Sequence, residues 1–381
     1  MTSKHRIKIA HVIVGLDVGG AERFLYRLVE AHNACPEFEH RVISLTGKGV
    51  LGPRLEKMGV PVSALNMRSV RDAPKVYFRL LAALRNDRPD VLQCWMYYAD
   101  LLGGLAGRRL GIQNILWGIR NSHFESGGTR LKRLIRKICA WGSHAIPRRI
   151  VCVAESARAV HAAAGYDPSR MQVIHNGYDP EQFRHSESAR LTLRNQQGFA
   201  SDDVVIGSVG RYSAAKDHAS FIRAAGMAGR TDARLRFLLV GRDLTMENQA
   251  LVTLMDATGF PERFSLLGER ADVAACMSAM DIFCLHSRTE GFPNVLGEAM
   301  CIGLPCVTTD VGDANVLLGE TGLIVPADST ERLADAMTRM AQEEPLQRKE
   351  RGQQSRRRIE QFFTLRHAVD QFEMLYRRPQ I

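Results

Sequence analysis

Short apolar segments rich in Val, Ile and Leu recur along the 381 residues, each followed by a helix-like pattern. In the first half they are 7–15, 41–45, 90–95, 114–119, 150–154 and 171–174. In the second half they are 204–210, 236–241, 264–268, 281–286, 305–309 and 322–325. They do not alternate polar with apolar residues, as a half-exposed antiparallel strand does. They read as parallel strands covered on both faces. Strand–helix alternation predicts doubly wound α/β sheets, and two such sets predict two Rossmann-like domains. The polar stretch 184–202 is the expected linker, between a first domain over 1–183 and a second over 203–361. Phe362, Leu365, Val369, Phe372 and Leu375 fall on one helical face, which predicts a tail helix that docks elsewhere.

At 45% hydrophobic and 24% charged, the composition excludes wholesale disorder, collagen-like and coiled-coil architectures. No apolar run is long enough to cross a membrane. The basic, then apolar, N-terminus imitates a signal peptide, but its apolar core is short, and a first buried strand running into a glycine turn is the expected reading. Eight cysteines are scattered without a C-x-x-C pair. That argues against a zinc site and for reduced, buried thiols in a cytoplasmic protein. Asp328-x-x-Glu331 predicts a capping box opening a helix over 331–342. Pro293-Asn294 opens another helix, which Gly303 and Pro305 close.

Three clusters follow predicted strands, where open α/β sheets bind ligands. The first is Glu290-Gly291-Phe292-Pro293-Asn294-Val295-Leu296-Gly297-Glu298. Backbone amides of Asn294, Val295 and Leu296 at a helix start form an expected anion site. Two carboxylates bracketing such a site repel phosphate, so Glu290 and Glu298 are expected to accept hydrogen bonds from sugar hydroxyls. The second cluster is Gly210-Arg211-Tyr212-Ser213-Ala214-Ala215-Lys216. Arg as a fork and Lys as a point charge can clamp a diphosphate there. The third is Gly15-Leu16-Asp17-Val18-Gly19-Gly20-Ala21-Glu22. It departs from the G-x-G-x-x-G dinucleotide pattern, yet Gly19-Gly20 permits close approach of a phosphate or sugar.

In this order these residues resemble the retaining family 4 glycosyltransferases of the GT-B fold, nearly end to end. Glu290 and Glu298 match the family's glutamates eight apart, and Gly210, Arg211 and Lys216 match its Gly-Arg-x-x-x-x-Lys. Asn176-Gly177-Tyr178-Asp179 matches the Asn-Gly-x-Asp that precedes the linker. The resemblance implies two Rossmann-like domains facing across a cleft, with a tail helix, placed at 362–381, crossing back to the first. It implies that Arg211 and Lys216 hold the donor diphosphate and stabilise the leaving charge without metal or cofactor. Glu290 would bind the donor sugar, Glu298 the ribose, and the amides of Asn294, Val295 and Leu296 the sugar and phosphates. Gly19 and Gly20 would face them, and the reaction would proceed by front-face attack with retention. One departure stands out. Arg120 occupies the position of a usual active-site histidine, and Arg cannot act as a base at neutral pH. Arg120, or His123 close by, is the expected contact to an acceptor or phosphate.

The net charge of +10 is uneven: residues 1–183 carry +12 and the remainder −2. Arg130, Lys132, Arg133, Arg136 and Lys137 interleave with Leu131, Leu134, Ile135 and Ile138, and Trp141 follows. That is the pattern of a helix lying on an anionic membrane; a helix docking its apolar face on the sheet is the alternative. No nucleic-acid signature accompanies the charge, so no nucleic-acid partner is expected. The expectation is a cytoplasmic enzyme, peripheral on the inner face of the cell membrane. It moves a sugar from a UDP- or GDP-linked donor to a glycan or polyprenyl-linked acceptor in cell-envelope polysaccharide synthesis. The rivals are a nucleotide-sugar epimerase of the same fold and a non-catalytic sugar-nucleotide or glycan-binding module.

Overall fold

A computed structural model describes residues 6–17, 19–33, 35–122 and 130–377. The chain forms two compact units. The first comprises the described residues up to Gly177 together with those from Leu365 onward; the second is Tyr178–Thr364.

The strands of the first unit are β1 (Ile7–Ile13), β2 (Phe38–Ser44), β3 (Val62–Ala64), β4 (Val91–Trp95), β5 (Asn114–Ile119), β6 (Arg149–Cys152) and β7 (Met171–Val173). Its helices are α1 (Gly20–His32), α2 (Gly52–Lys57), α3 (Ala73–Asn86), α4 (Tyr97–Arg109), α5 (Arg130–Ser143) and α6 (Glu155–Ala163). The sheet order is β3-β2-β1-β4-β5-β6-β7, parallel throughout, with Ile9–Ile13 of β1 in register with Val91–Trp95 of β4. Strands β4 and β5 are buried along their whole length, which is why they read as mostly apolar runs, with Gln93 and Asn114 the buried polar exceptions.

The second unit opens with α7 (Glu187–Gln196) and β8 (Val204–Val209), followed by α8 (His218–Gly229), β9 (Leu235–Val240), α9 (Gln249–Asp256) and β10 (Phe264–Leu266). Next come α10 (Val273–Ser278), β11 (Ile282–Leu285), α11 (Asn294–Ile302), β12 (Cys306–Thr309) and α12 (Ala314–Leu318). It ends with β13 (Leu323–Val325), α13 (Thr330–Gln342) and α14 (Pro345–Phe362). Its sheet order is β10-β9-β8-β11-β12-β13, again parallel. The order reverses between β8 and β11, which makes their carboxyl ends the switch point of this sheet.

Each unit has its own core. Ile9, Phe24, Leu28, Trp95 and Leu116 pack with Val369 and Phe372 of the last helix, α15 (Leu365–Tyr376). The predicted tail helix therefore docks in the first unit, but it begins at Leu365, and Phe362 ends α14 with an exposed ring. In the second unit Ile206, Phe221, Phe237, Ile282 and Met337 form the centre. All eight cysteines are free thiols, and all but the half-buried Cys35 are buried.

Two expectations are displaced, and one strand has no counterpart among them. The stretch 184–202 is not a free linker: α7 belongs to the second unit. Arg190 Nη2 and Arg194 Nη1 lie 2.6 and 3.0 Å from the two carboxylate oxygens of Asp281, and Arg194 is buried. Its polarity serves these ion pairs, and the boundary of the units falls at Gly177–Tyr178 rather than at 183. The capping box is not formed either. Asp328 adopts a left-handed φ of 63° and turns to Arg288 at 3.3 Å, while Ser329 precedes α13 without a side-chain cap. Finally, β3 has three residues, too few for the pattern to stand out in the sequence.

Candidate functional site

The loops after β8 and β11 flank the switch point of the second sheet, and they bring two of the expected residues together. Lys216 Nζ lies 2.5 Å from Glu290 Oε1, and both side chains are largely buried. Ser287 Oγ donates to the same oxygen at 2.6 Å, and Ser287's own carbonyl accepts from Thr309 Oγ1 at 2.7 Å. Glu290 is thus held by two donors on one oxygen, and its Oε2 has no partner among the described residues. Arg211, on the loop that carries Lys216, is exposed and forms no ion pair among the described residues. Its position is set by backbone bonds, Gly210 N to Val240 O at 2.9 Å and Tyr212 N to Arg242 O at 2.9 Å.

The helix of the Glu290–Glu298 segment starts and stops where the sequence put it. Pro293 precedes α11 in an extended conformation, and Gly303 closes the helix at a left-handed φ of 87°. Gly312, at a φ of 56°, packs so closely on the carbonyls of Glu290 and Gly291 that a Cβ would collide with them, and Asp313 N donates to Gly291 O at 2.9 Å. Glu298 is buried on α11. The expected free amide of Leu296 is not available: it donates to Pro293 O at 3.2 Å, because the first helical turn closes in the tighter three-residue manner. Asn294 and Val295 open the helix and are partly exposed.

Several residues of this site carried no signal of their own in the sequence. Asp217 directly follows Lys216, adopts a left-handed φ of 51° and caps α8 through Ser220 N. Its Oδ2 accepts from Arg288 Nε at 2.7 Å, which ties the two loops together a second time. Burial alone pushes the Asp217 carboxyl up, but the bonds from Arg288 and Ser220 outweigh it, and the net shift is downward. Behind the Lys216 loop, the rings of His218 and His286 meet edge to face at 5.0 Å, and His286 Nε2 shares a 2.7 Å hydrogen bond with Ser208 Oγ. Burial lowers His218 to about 4 and His286 to about 3, so both are neutral at physiological pH. An Asp before a helix is a possible N-cap signal in the sequence, but the pairing of Asp217 with Arg288, 71 residues on, has no local sign.

Other expected residues belong to the first unit. Gly19 is the extended N-cap of α1 and Gly20 its first residue. Glu22 folds back over Gly19, and burial, aided by Asp17, raises its carboxyl pKa. Arg120, at the carboxyl end of β5, donates from Nη2 to Asn176 Oδ1, and its guanidinium stacks 4.2 Å from the Phe24 ring centroid. His123 lies outside the described residues. Beside Arg120, Tyr97 Oη donates to Asn121 Oδ1 at 3.0 Å and shares a 2.7 Å bond with His161 Nε2.

Lys and Arg on one loop, a carboxylate on the next and a helix start between them make a set that can bind a phosphorylated sugar. Residues 18–182 match the family described as Glycosyltransferase Family 4, and residues 203–343 match Glycosyl transferases group 1. The UDP-Gal:alpha-D-GlcNAc-diphosphoundecaprenol alpha-1,3-galactosyltransferase of Escherichia coli is 24% identical over 99% of this chain and 98% of its own length. Among solved structures, Anabaena HepE in complex with UDP superposes with a TM-score of 0.84 at 19% identity, over 97% of this chain and 99% of that one. WaaG, a glycosyltransferase involved in lipopolysaccharide biosynthesis, superposes with a TM-score of 0.72 at 16% identity, over 96% and 99%. With a glycosyltransferase family matched in each half of its length and the two-domain fold of its structural neighbours, this chain belongs to the family 4 glycosyltransferases of the GT-B fold.

Proposed function

We propose that the chain is a retaining hexosyltransferase. It takes a sugar from a UDP- or GDP-linked donor to a glycan or polyprenyl-linked acceptor, without metal or cofactor, in cell-envelope polysaccharide synthesis. The observation that carries this reading is the Lys216–Glu290 pair at the carboxyl edge of the second sheet. Without donor the two charges satisfy each other. With donor bound, Lys216 and Arg211 turn to the diphosphate oxygens and stabilise the charge that develops as the sugar leaves. Glu290, still held by Ser287, accepts from a sugar hydroxyl. The acceptor hydroxyl attacks from the leaving-group face, and a departing phosphate oxygen takes its proton. Val295 and Asn294 line the sugar and phosphates and Glu298 the ribose; in the first unit, Gly19 and Gly20 are the residues that give a phosphate or sugar close approach to the backbone. The E. coli relative's UDP-galactose donor and lipid-diphosphate acceptor support this choice of substrate classes.

The reading includes a cytoplasmic enzyme on an anionic bilayer at the inner face of the cell membrane. No helix among the described residues is long and apolar enough to cross a membrane. Instead, α5 keeps Leu131, Leu134, Ile138 and Trp141 on its outward side, with Trp141 82% exposed. Arg130, Arg133 and Lys137 form an exposed row beside them. Ile135, expected on the same apolar face, turns into the core instead. An exposed apolar row flanked by cations complements an anionic lipid surface.

The test is a purified-protein assay. Wild type should show a raised melting temperature with UDP- or GDP-sugars, release nucleoside diphosphate only when acceptor is present, and give a product with the donor's anomeric configuration. Nucleotide-sugar interconversion without acceptor would favour the epimerase. Binding without turnover on any acceptor would favour the binding module.

A further inference from the structure

Arg120 is a half-buried cation that the described residues leave without a counter-charge. Among the described residues it makes no ion pair, and its one hydrogen bond runs from Nη2 to Asn176 Oδ1, an amide oxygen. Nη1 is buried with no hydrogen-bond partner. The guanidinium lies against the ring of Phe24 at 4.2 Å and that of Trp95 at 5.6 Å, so its face is fixed and desolvated. An uncompensated charge in such a place is costly, and the usual solutions are a paired carboxylate or neutralisation. Burial lowers the pKa of Arg120 to about 9, which still leaves it charged at neutral pH. The nearby buried acid, Asp100, does not help. Burial pushes its carboxyl far up, and it accepts from Gly118 N at 3.3 Å instead.

The position is a ligand-binding one by topology. Arg120 follows β5 at the carboxyl edge of the first sheet, Phe24 lies one turn into the helix opened by Gly19-Gly20, and Trp95 ends β4. The arginine is held by two aromatic rings and one amide, with a buried N–H uncommitted. A planar fork of this kind matches an oxyanion in two-point contact.

We infer that Arg120 binds an oxyanion carried by one of the substrates, a phosphate or a carboxylate, and so selects an acidic substrate. The inference rests on the glycosyltransferase reading above. The oxyanion has three sources: the donor's diphosphate, a carboxylate on the transferred sugar, or a phosphate on the acceptor. Asn176 and the two rings are positioning residues that aim the guanidinium.

The experiment uses the full chain with Arg120→Gln and Arg120→Lys, each checked first for its melting temperature without ligand. Dissociation constants for UDP and GDP, and for uronic-acid against neutral-hexose nucleotide sugars, cover the first two sources. The KM for a phosphate-bearing lipid acceptor against its phosphate-free analogue covers the third. Arg120→Gln should weaken UDP, GDP and both kinds of nucleotide sugar alike if the diphosphate is the source, the uronic-acid nucleotide sugar alone if the sugar carboxylate is, and the phosphate-bearing acceptor alone if the acceptor is, in each case by about tenfold to a hundredfold, the range for a charge-assisted hydrogen bond, with Arg120→Lys recovering part of the loss. The arm that moves names the source. Equal constants for wild type and Arg120→Gln in every arm would overturn the inference. So would an equal loss in all arms that tracks a lowered melting temperature, because Arg120 would then be a packing residue. Wild type that binds no nucleotide sugar at all would instead sink the reading on which the inference rests.

Discussion

The ring of Tyr178 occupies the space that a side chain on Gly297 would need, and its hydroxyl reaches the carbonyl of Pro293 at 3.4 Å. Tyr178 thereby wedges beneath the first turn of α11, stacked on Phe292, and sets the height at which that helix start stands. Gly297→Ala should overpack this contact at a cost of about 1–3 kcal/mol. A melting temperature lowered by several degrees, with donor affinity reduced alongside, is the expected result. An unchanged melting temperature would mean that the contact relaxes freely and supports nothing.

The Lys216–Glu290 pair separates two roles that can be measured apart. Lys216→Ala should lower the affinity for UDP or GDP alone and cut kcat by about 10²–10³-fold, as for loss of one oxyanion-stabilising donor. Glu290→Gln should leave affinity for the bare nucleoside diphosphate intact, because Ser287 still holds the side chain, and remove the extra affinity gained from the sugar. If Glu290→Gln weakened the bare diphosphate as strongly as the nucleotide sugar, Glu290 would be acting only through Lys216.

Replacement of Trp141 and Leu134 by serine should abolish flotation with vesicles containing anionic lipid and leave the unfolding free energy within about half a kcal/mol of wild type, as for exposed positions in general. Charge reversal at Lys137 should shift the salt dependence of binding in the same experiment. Binding that survives all three changes would place the lipid contact elsewhere.

Stability should fall on mild acidification. In the first unit Trp95 Nε1 donates to His11 Nδ1 at 3.3 Å, so His11 Nε2 carries the proton and donates to His40 Nδ1 at 2.9 Å. His32 stacks on His40 at 5.1 Å. Burial lowers all three, His32 to about 4, with Arg366 and Arg377 adding to the effect, and His40 to about 3. The unfolded chain takes up these protons near pH 6.5, whereas the folded one resists them until far lower. The stabilisation is therefore complete above about pH 6.5 and is lost progressively as pH falls toward 4. Denaturant midpoints at pH 7.5, 6 and 5 should decline in that order, and the decline should be shallower in His40→Leu. A flat profile would show that the rings titrate normally.

The strands were legible because a parallel strand buried on both faces is predominantly apolar, and β1, β5 and β8 declare themselves that way despite Lys8, His11, Asn114 and Ser208. So did the start and stop of α11, which depend on local chemistry at Pro293 and Gly303. The three-residue β3 was not legible, since its existence rests on pairing with β2. Polarity misled at α7, where Arg190 and Arg194 answer to Asp281, some ninety residues distant. The sequence marked Lys216 and Glu290 separately, yet nothing local joined them. The exposed side of α5 was foreseeable as a pattern, but only the structure separates outward Leu134 from inward Ile135.

The last helix, α15, completes the core of the first unit with Val369, Phe372 and Tyr376. On the ribosome, the sheet that is begun first therefore waits for the final stretch of chain, while the second unit, Tyr178–Thr364, can close in the meantime. Until α15 emerges, Phe24 and Trp95 lack part of their cover, so the nascent N-terminal half carries an exposed apolar seam through most of its synthesis. Messages broken after codon 364 would then yield a finished second unit fused to an unfinished first one, which the cell's quality control would recognise by that seam.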